Sequence, residues 1–157
     1  MRRLTALARS AHVGVCADDV GQVRALDLAR HVAGAPHLAF AGLQAYYGSA
    51  QHLRGWDERR QAMTQAVDWA RCTRDLLARH GIECPTITGA GASGFEFEAA
   101  SGVYTELQCG SYIFMDADYG RNRDRDGAPT KAFEPSPFAW ATVMPRPTED
   151  CAIVYAG

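Results

Sequence analysis

The sequence predicts an α/β fold built on a parallel sheet, followed by a short region of strands alone. Strand and helix patterns alternate up to about residue 120, which is typical of parallel strands joined by helices. Two further strand patterns, over residues 138–144 and 151–155, have no helix between them. We therefore expect an α/β region over residues 1–131 and the first strands of a β domain over residues 132–157.

The composition narrows the classes of function. The chain has 157 residues, of which 47% are hydrophobic and 22% charged, as in globular proteins. A net charge of −2 gives no electrostatic basis for binding nucleic acid or an anionic membrane. No apolar run approaches the roughly 20 residues of a membrane helix. Five scattered cysteines and the lack of a signal-peptide pattern favour a cytoplasmic protein with reduced thiols.

The first third of the chain alternates short helices and strands. Apolar residues at helical spacing predict a helix over residues 3–11, and the segment HVGVC predicts a strand over residues 12–16. The acidic pair at 18–19 suits the start of a second helix, which ends at Gly34. The strand predicted over residues 38–46 is apolar in its first half, as expected of a strand covered on both faces.

The longest predicted helix covers residues 57–80 and carries one apolar stripe. Two acidic residues stand at its start, where the helix dipole favours them, and Gly81 is the expected C-cap. Two more strands of the α/β region are predicted over residues 85–88 and 104–108. The stripe consists of Met63, Ala66, Val67, Ala70 and Leu77.

Two glycine-containing turns adjoin the last predicted strands of the α/β region. We name residues 88–94 (TGAGASG) the first glycine turn and residues 110–111 the second glycine turn. Glycine allows the backbone to approach an anion closely, and hydroxyl groups nearby add donors. Late loops of (β/α) barrels often hold phosphate in this way. On spacing alone, an anion site and ordinary turns remain alternatives.

A calcium loop is the strongest competing pattern. Asn122, Asp124 and Asp126 have calcium-loop spacing, but the twelfth position is Phe133 and arginines alternate with the carboxylates. Since the final ligand is missing and the arginines repel a cation, we expect a solvated loop.

Two acidic residues, Glu96 and Glu98, alternate with phenylalanines. This alternation predicts a strand or an extended loop with one wet face. His52 and Tyr46 could form an acid–base group with either Glu96 or Glu98, but nothing in the sequence brings these side chains together.

Three segments carry a resemblance to one family. They are FAGLQAYYGSAQHLR at residues 40–54, CPTITGAG at residues 84–91 and FEFEAASGVYTELQCGSYIFMDADYG at residues 95–120. These segments resemble the D-threonine aldolase / D-serine dehydratase-like family. The resemblance implies a fold type III lyase dependent on pyridoxal phosphate. Its fold would be a partial, TIM-like (β/α) barrel of the alanine racemase type, followed by a β domain.

The resemblance also implies partners and cofactors. A D-3-hydroxy amino acid is the implied small-molecule substrate, pyridoxal phosphate the cofactor, and a divalent metal belongs to the intact family enzymes. A homo-oligomer is compatible with the family, whereas nucleic acid and membranes are not implied partners.

Six residues are implied to bind the cofactor. They are Tyr46, Thr88, Gly89, Gly110, Ser111 and Tyr112. Gly110 to Tyr112 match the family's last phosphate-binding turn, Thr88 opens the other turn, and Tyr46 ends a strand beside the cofactor. Gln44 and Gln108 are further candidates on the same side. No catalytic residue and no metal ligand is assigned.

The sequence departs from the family pattern in several places. Ala92 stands where the family usually has a threonine, Tyr47 replaces a histidine and Tyr155 replaces an aspartate. The family's Schiff-base lysine lies on the first barrel strand, whereas Lys131, the single lysine here, lies late in a polar loop. The family's metal ligands lie in its β domain, beyond Gly157.

Two hypotheses follow. The chain is either a pyridoxal-phosphate lyase of the D-threonine aldolase type or a catalytically inactive fragment that binds phosphate or cofactor or only oligomerises. Because the chemistry needs an activated amine that Lys131 does not supply, we expect a truncated, inactive form. About four strands of an eight-stranded barrel would leave open edges, so we also expect self-association.

Overall fold

A four-stranded parallel sheet forms the body of the protein. The computed structural model describes residues 13–17 and 22–156. The helix predicted over residues 3–11 and the acidic pair at 18–19 lie outside the described residues. Within that part of the chain, no helix has the length and apolar character needed to cross a bilayer.

The strands lie in the sheet in the same order as in the chain. They are β1 (Val13–Ala17), β2 (Leu38–Gln44), β3 (Thr86–Gly89) and β4 (Glu106–Leu107), and each neighbouring pair is parallel. The prediction of an α/β fold with a parallel sheet is therefore confirmed.

The last strand of this sheet is shorter than the prediction of residues 104–108. Instead of pairing through its backbone alone, Thr105 places its hydroxyl oxygen 2.9 Å from the Ile87 N–H. A side chain thus takes a position that a backbone acceptor would occupy in a regular ladder. Pairing continues only as far as Gln108, whose N–H donates to the Gly89 carbonyl at 2.6 Å.

Two long helices pack on the sheet and build the core. They are α1 (Gln22–Ala33) and α2 (Trp56–Arg79). All five residues of the predicted α2 stripe are buried. Leu43 and Ile87, from β2 and β3, pack in one cluster with Val67, Ala70 and Leu77 of α2. Gly81 adopts a φ of +70°, the left-handed conformation expected after a helix end.

The phenylalanine–glutamate segment is helical, so the predicted strand or extended loop is wrong. It forms the short helix α3 (Phe95–Ala99). Phe97 packs on Trp56 with ring centroids 5.4 Å apart, and Phe95 packs on Phe133 at 5.2 Å. The two rings therefore pack against two different aromatic side chains. Glu98 is fully buried and not exposed to solvent.

The C-terminal region contains a two-stranded antiparallel ribbon. Its strands are β5 (Thr142–Val143) and β6 (Val154–Tyr155), within both predicted segments but much shorter. Every residue of this ribbon is exposed. A domain boundary at residue 132 stays a prediction.

Candidate active site

The loops that follow β2, β3 and β4 lie side by side at the carboxyl ends of these parallel strands. The loop after β2 begins at Ala45, whose N–H donates to the Thr88 carbonyl at 2.8 Å. The loops after β3 and β4 begin side by side, joined by the bond from Gln108 to Gly89. Ligands of open α/β sheets and of (β/α) barrels bind at the carboxyl ends of the strands. This end of the sheet is therefore the candidate site.

Polar side chains lie next to one another across the strands, close to the carboxyl ends of the sheet. Gln44, Thr88 and Glu106 are register partners on β2, β3 and β4. The Thr88 hydroxyl donates to Glu106 Oε1 at 2.9 Å, and Gln44 Nε2 donates to Gln108 Oε1 at 2.8 Å. Gln44 and Gln108 thus lie together, whereas the hydroxyl of Thr88 is already engaged by a carboxylate.

Hydrogen bonds from buried side chains hold the first glycine turn in place. The Ser93 N–H donates to Gln51 Oε1 at 3.0 Å. Asn122 Nδ2 donates both to Ser93 Oγ at 2.8 Å and to the Gln51 carbonyl at 2.9 Å. Gln51 and Asn122 are buried. The Ser93 amide is therefore bonded within the protein, whereas its hydroxyl accepts a hydrogen bond and keeps its own proton.

Sequence reasoning missed Gln51. It lies in the 3₁₀ turn Ser49–His52 and is buried there, with no periodic pattern that marks it. Asn122 was considered only as a calcium ligand. Its side chain instead joins Gln51 to Ser93 and accepts a hydrogen bond from Arg54 at 2.9 Å, which leaves no carbonyl oxygen directed at a cation. Among the described residues, no cluster of three or more His, Cys, Asp or Glu side chains could hold a metal ion.

Gly89 in the first turn and Gly110 in the second turn are glycines for different reasons. A Cβ on Gly89 would stand 2.5 Å from Tyr104 Cε1 and 2.7 Å from the Ala45 carbonyl oxygen. Packing alone therefore explains Gly89. A Cβ on Gly110 would meet no described atom within 4 Å, and its φ of −89° is open to any residue. Neither packing nor conformation explains Gly110, so its backbone is free for the approach of another molecule.

The second glycine turn leads into the short 3₁₀ turn Ser111–Ile113. Ser111 is half-buried and Tyr112 is 48% exposed. Within the described part of the chain, the Ser111 hydroxyl makes no hydrogen bond, whereas those of Thr88 and Ser93 do. The second turn therefore keeps a donor available at the edge.

A charged cluster lies beside Tyr46. His52 Nδ1 is 2.7 Å from Asp118 Oδ2, and Arg54 binds the same carboxylate at 2.5 Å. The hydrogen bonds from Arg54 and His52 hold the pKa of Asp118 below its usual range. Tyr119 packs against the His52 ring with the ring centroids 5.5 Å apart, and Tyr46 is a neighbour of Tyr119. Burial, followed by the neighbouring Tyr46, raises the pKa of Tyr119.

This cluster settles part of the acid–base hypothesis. Tyr119 connects Tyr46 with His52, and the carboxylate bound to His52 is Asp118. Glu98 lies in a different place, buried beside Tyr104 and Cys109.

The chain matches proteins of one kind in sequence and in structure, although no family model matches it. A D-threonine aldolase from an Arthrobacter species is 50% identical over 147 residues, covering 88% of this chain and 38% of that protein. A 3-hydroxy-D-aspartate aldolase from Paracoccus denitrificans is 37% identical over 134 residues, covering 84% of this chain and 35% of that protein.

The solved structure of D-threonine aldolase from Filomicrobium marinum has the same fold. It matches 99% of this chain and 45% of its own length, with a TM-score of 0.86 and 42% sequence identity. The chain belongs to the D-threonine aldolase family. It spans between 35 and 38% of the length of these curated relatives.

The positions where this D-threonine aldolase relative departs from its family can now be located. Ala92 is buried in the first glycine turn, and the neighbouring Ser93 hydroxyl accepts a hydrogen bond from Asn122. Tyr47 lines an apolar cavity of about 140 Å³ between β2 and α2. Tyr155 is exposed on β6, and Lys131 is exposed in its loop.

Proposed function

We propose that this chain provides the phosphate side of the cofactor site in a pyridoxal-phosphate lyase of the D-threonine aldolase type. Its substrates would be D-3-hydroxy amino acids, because both relatives are named for cleaving such compounds. The sheet β1–β4 would be part of a TIM-like (β/α) barrel, and residues 132–157 would begin a β domain.

The second glycine turn carries this proposal. Gly110 leaves its backbone open to approach, and the Ser111 hydroxyl has no partner among the described residues. Backbone N–H groups at such a turn, with one hydroxyl, are the donors that a phosphate needs. Tyr112 flanks them and is half exposed.

The first glycine turn contributes less in this proposal. The Thr88 hydroxyl donates to Glu106 and the Ser93 N–H donates to Gln51, so neither of these donors is free to bind an anion without rearrangement. The Ser93 hydroxyl accepts from Asn122 and keeps its own proton. Thr88 and Gly89 would support the neighbouring turn through the sheet, and Tyr46 would contact the cofactor from the end of β2.

Pyridoxal phosphate, when bound, supplies an electron sink for bond cleavage at the amino-acid substrate. The groups of this chain suited to hold and move a proton nearby are His52 and its partner Asp118. A carboxylate that accepts a hydrogen bond from one ring nitrogen fixes the orientation of the imidazole. We assign this pair the role of an acid–base group.

A second candidate is a catalytically inactive member that binds phosphate or cofactor without turnover. Lys131 favours it, because this lysine is exposed in its loop, whereas a lysine that forms an imine with a cofactor needs a desolvated amine. Incubation with D-threonine, pyridoxal phosphate and Mn²⁺ separates the two candidates: formation of glycine supports the lyase, and its absence together with retained cofactor binding supports the inactive member.

Calorimetric titration with pyridoxal phosphate and with inorganic phosphate tests the binding site. Ser111→Ala should weaken both by about tenfold, because a hydrogen bond to a charged group contributes about 1.5 kcal/mol or more. Thr64→Ala is the matched control, since the Thr64 hydroxyl lies on the exposed side of α2 and bonds only to Arg60. Equal affinity of Ser111→Ala and the unaltered chain would contradict the proposal.

The absorbance of the bound cofactor tests the reading of Lys131. We expect no new band at roughly 410–430 nm, the region typical of cofactor joined to a lysine. A band there that Lys131→Ala abolishes would show that Lys131 holds the cofactor.

A further inference from the structure

The second glycine turn has few contacts of its own that hold its shape. In the three-residue 3₁₀ turn, the N–H groups of Phe114 and Met115 share the Ser111 carbonyl at 3.2 and 2.6 Å. Tyr112, Ile113 and Phe114 are 48 to 59% exposed, so burial orders them only in part. Met115 has a φ of +54°, a left-handed conformation that costs energy for a residue with a Cβ. The observed shape therefore needs support from another part of the chain.

Ser136 supplies part of this support. The Ser136 N–H donates to the Phe114 carbonyl at 3.0 Å, and the Ser136 hydroxyl donates to the Ile113 carbonyl at 2.8 Å. The last carbonyl groups of a helical turn have no partner within it. Here a single residue, 23 positions along the chain from Ile113, bonds two of them. The carboxyl end of the 3₁₀ turn is thus fixed by hydrogen bonds that the turn itself cannot make.

An aromatic contact comes from the same segment of the chain. The Phe133 ring contacts both Tyr112 and Phe95, with ring centroids 5.9 and 5.2 Å apart. Tyr112 belongs to the 3₁₀ turn, and Phe95 begins α3, directly after the first glycine turn. Aromatic pairs of this kind stabilise beyond the area that they bury. Phe133 therefore joins the second glycine turn to the helix that follows the first.

The sequence around Ser136 suits such a supporting role. Pro135 and Pro137 flank it directly. Each proline fixes its own φ at about −65° and restricts the residue before it to extended conformations. A segment with so few accessible conformations loses little entropy when it becomes ordered. Ser136 can therefore bond to the turn at a small entropic cost.

We propose that Phe133 and Ser136 are positioning residues for the phosphate site: together they hold the second glycine turn in the shape that presents the Ser111 hydroxyl and the Gly110 backbone. The inference rests on the proposed function for the identity of the ligand, a phosphate group. Donors that are held in place before binding lose less conformational entropy when the ligand arrives. The affinity for phosphate therefore depends on a segment that lies beyond the predicted boundary at residue 132.

Two measurements on the full 157-residue chain test the proposal. They are calorimetric titration with inorganic phosphate and hydrogen exchange without any ligand. Ser136→Ala removes the hydrogen bond to the Ile113 carbonyl, so it should weaken phosphate binding by about fivefold, the factor that a neutral hydrogen bond of typical strength gives. Protection of the Phe114 and Met115 amides should fall by a similar factor, while protection in α2 stays unchanged.

Three further variants complete the experiment. Ser136→Thr keeps a hydroxyl group, so it should retain both the affinity for phosphate and the protection of the turn. Phe133→Leu keeps an apolar side chain without the ring, and it should weaken phosphate binding by about two- to tenfold because both aromatic contacts are lost. Thr64→Ala, on the exposed side of α2, should change neither quantity.

Unchanged protection of Phe114 and Met115 in Ser136→Ala would overturn the proposal. Lower protection with unchanged phosphate affinity would also overturn it, because binding would then not depend on the shape of the turn. Weaker binding that Ser136→Thr shares would contradict a role for the hydroxyl group. If the unaltered chain binds no phosphate, the proposed function fails by that result alone, and hydrogen exchange still decides whether Ser136 holds the turn.

Discussion

Asn122 joins three loops through one side chain. Its amide donates to Gln51 and Ser93 and accepts from Arg54, so the loops after β2, β3 and β4 are connected at a single buried point. Removing such a group lowers the free energy of unfolding, because its buried partners are left without a hydrogen bond.

Asn122→Ala should lower the free energy of unfolding by about 2 to 4 kcal/mol, since an unsatisfied buried polar group costs about 1 to 3 kcal/mol and two acceptors lose their donor. Urea denaturation measures the change. Gln61→Ala, on the exposed side of α2, should change stability by less than about 0.5 kcal/mol. A loss for Asn122→Ala no larger than that of the control would show that the network is not cooperative.

Helix α2 stabilises the sheet through its apolar stripe. Leu77 is fully buried in the core cluster with Ile87 and Leu43, whereas its neighbour Leu76 is only half-buried. Two leucines at adjacent positions of one helix therefore lie in different environments.

Leu77→Ala should destabilise the fold by about 2 to 5 kcal/mol, because it removes apolar contacts and leaves a cavity. Leu76→Ala, with the same change in volume and helix propensity, should cost less than half as much. Thermal unfolding followed by circular dichroism gives both values. Equal losses would mean that the helix does not pack on the sheet as described.

The molecule as a whole presents large apolar side chains to solvent. Phe138 and Trp140 are 84% and 92% exposed, and the β5–β6 ribbon adds Val143, Val154 and Tyr155. Exposed apolar surface of this extent marks an interaction region or a tendency to associate.

We expect the chain to self-associate as its concentration rises, as predicted for a sheet with open edges. In sedimentation experiments, the double substitution Phe138→Ser and Trp140→Ser should shift the population toward monomer. Glu134→Ser, an exposed polar position in the same segment, serves as the control. A monomer at every concentration tested, melting cooperatively, would contradict the expectation.

Much of the fold was predictable because its signals are local. The stripe from Met63 to Leu77 and the glycine after α2 each act within a few residues, and both are confirmed. The apolar first half of β2 is half-buried rather than covered on both faces. The helix at Phe95 was mistaken for an extended segment because period-two alternation also arises when two aromatic rings pack on separate neighbours, Trp56 and Phe133.

Local sequence patterns and the family motifs therefore suffice to predict the α/β class, the core face of α2 and the family. The folded chain is needed to show that the Ser111 hydroxyl has no described partner and that Glu98 is buried. The reason is distance along the chain: Asn122 reaches Gln51 across 71 residues, and Thr88 reaches Glu106 across 18. Hydrogen-bond partners so far apart leave no periodic pattern, so the availability of Ser111 and the burial of Glu98 emerge only when the chain is folded.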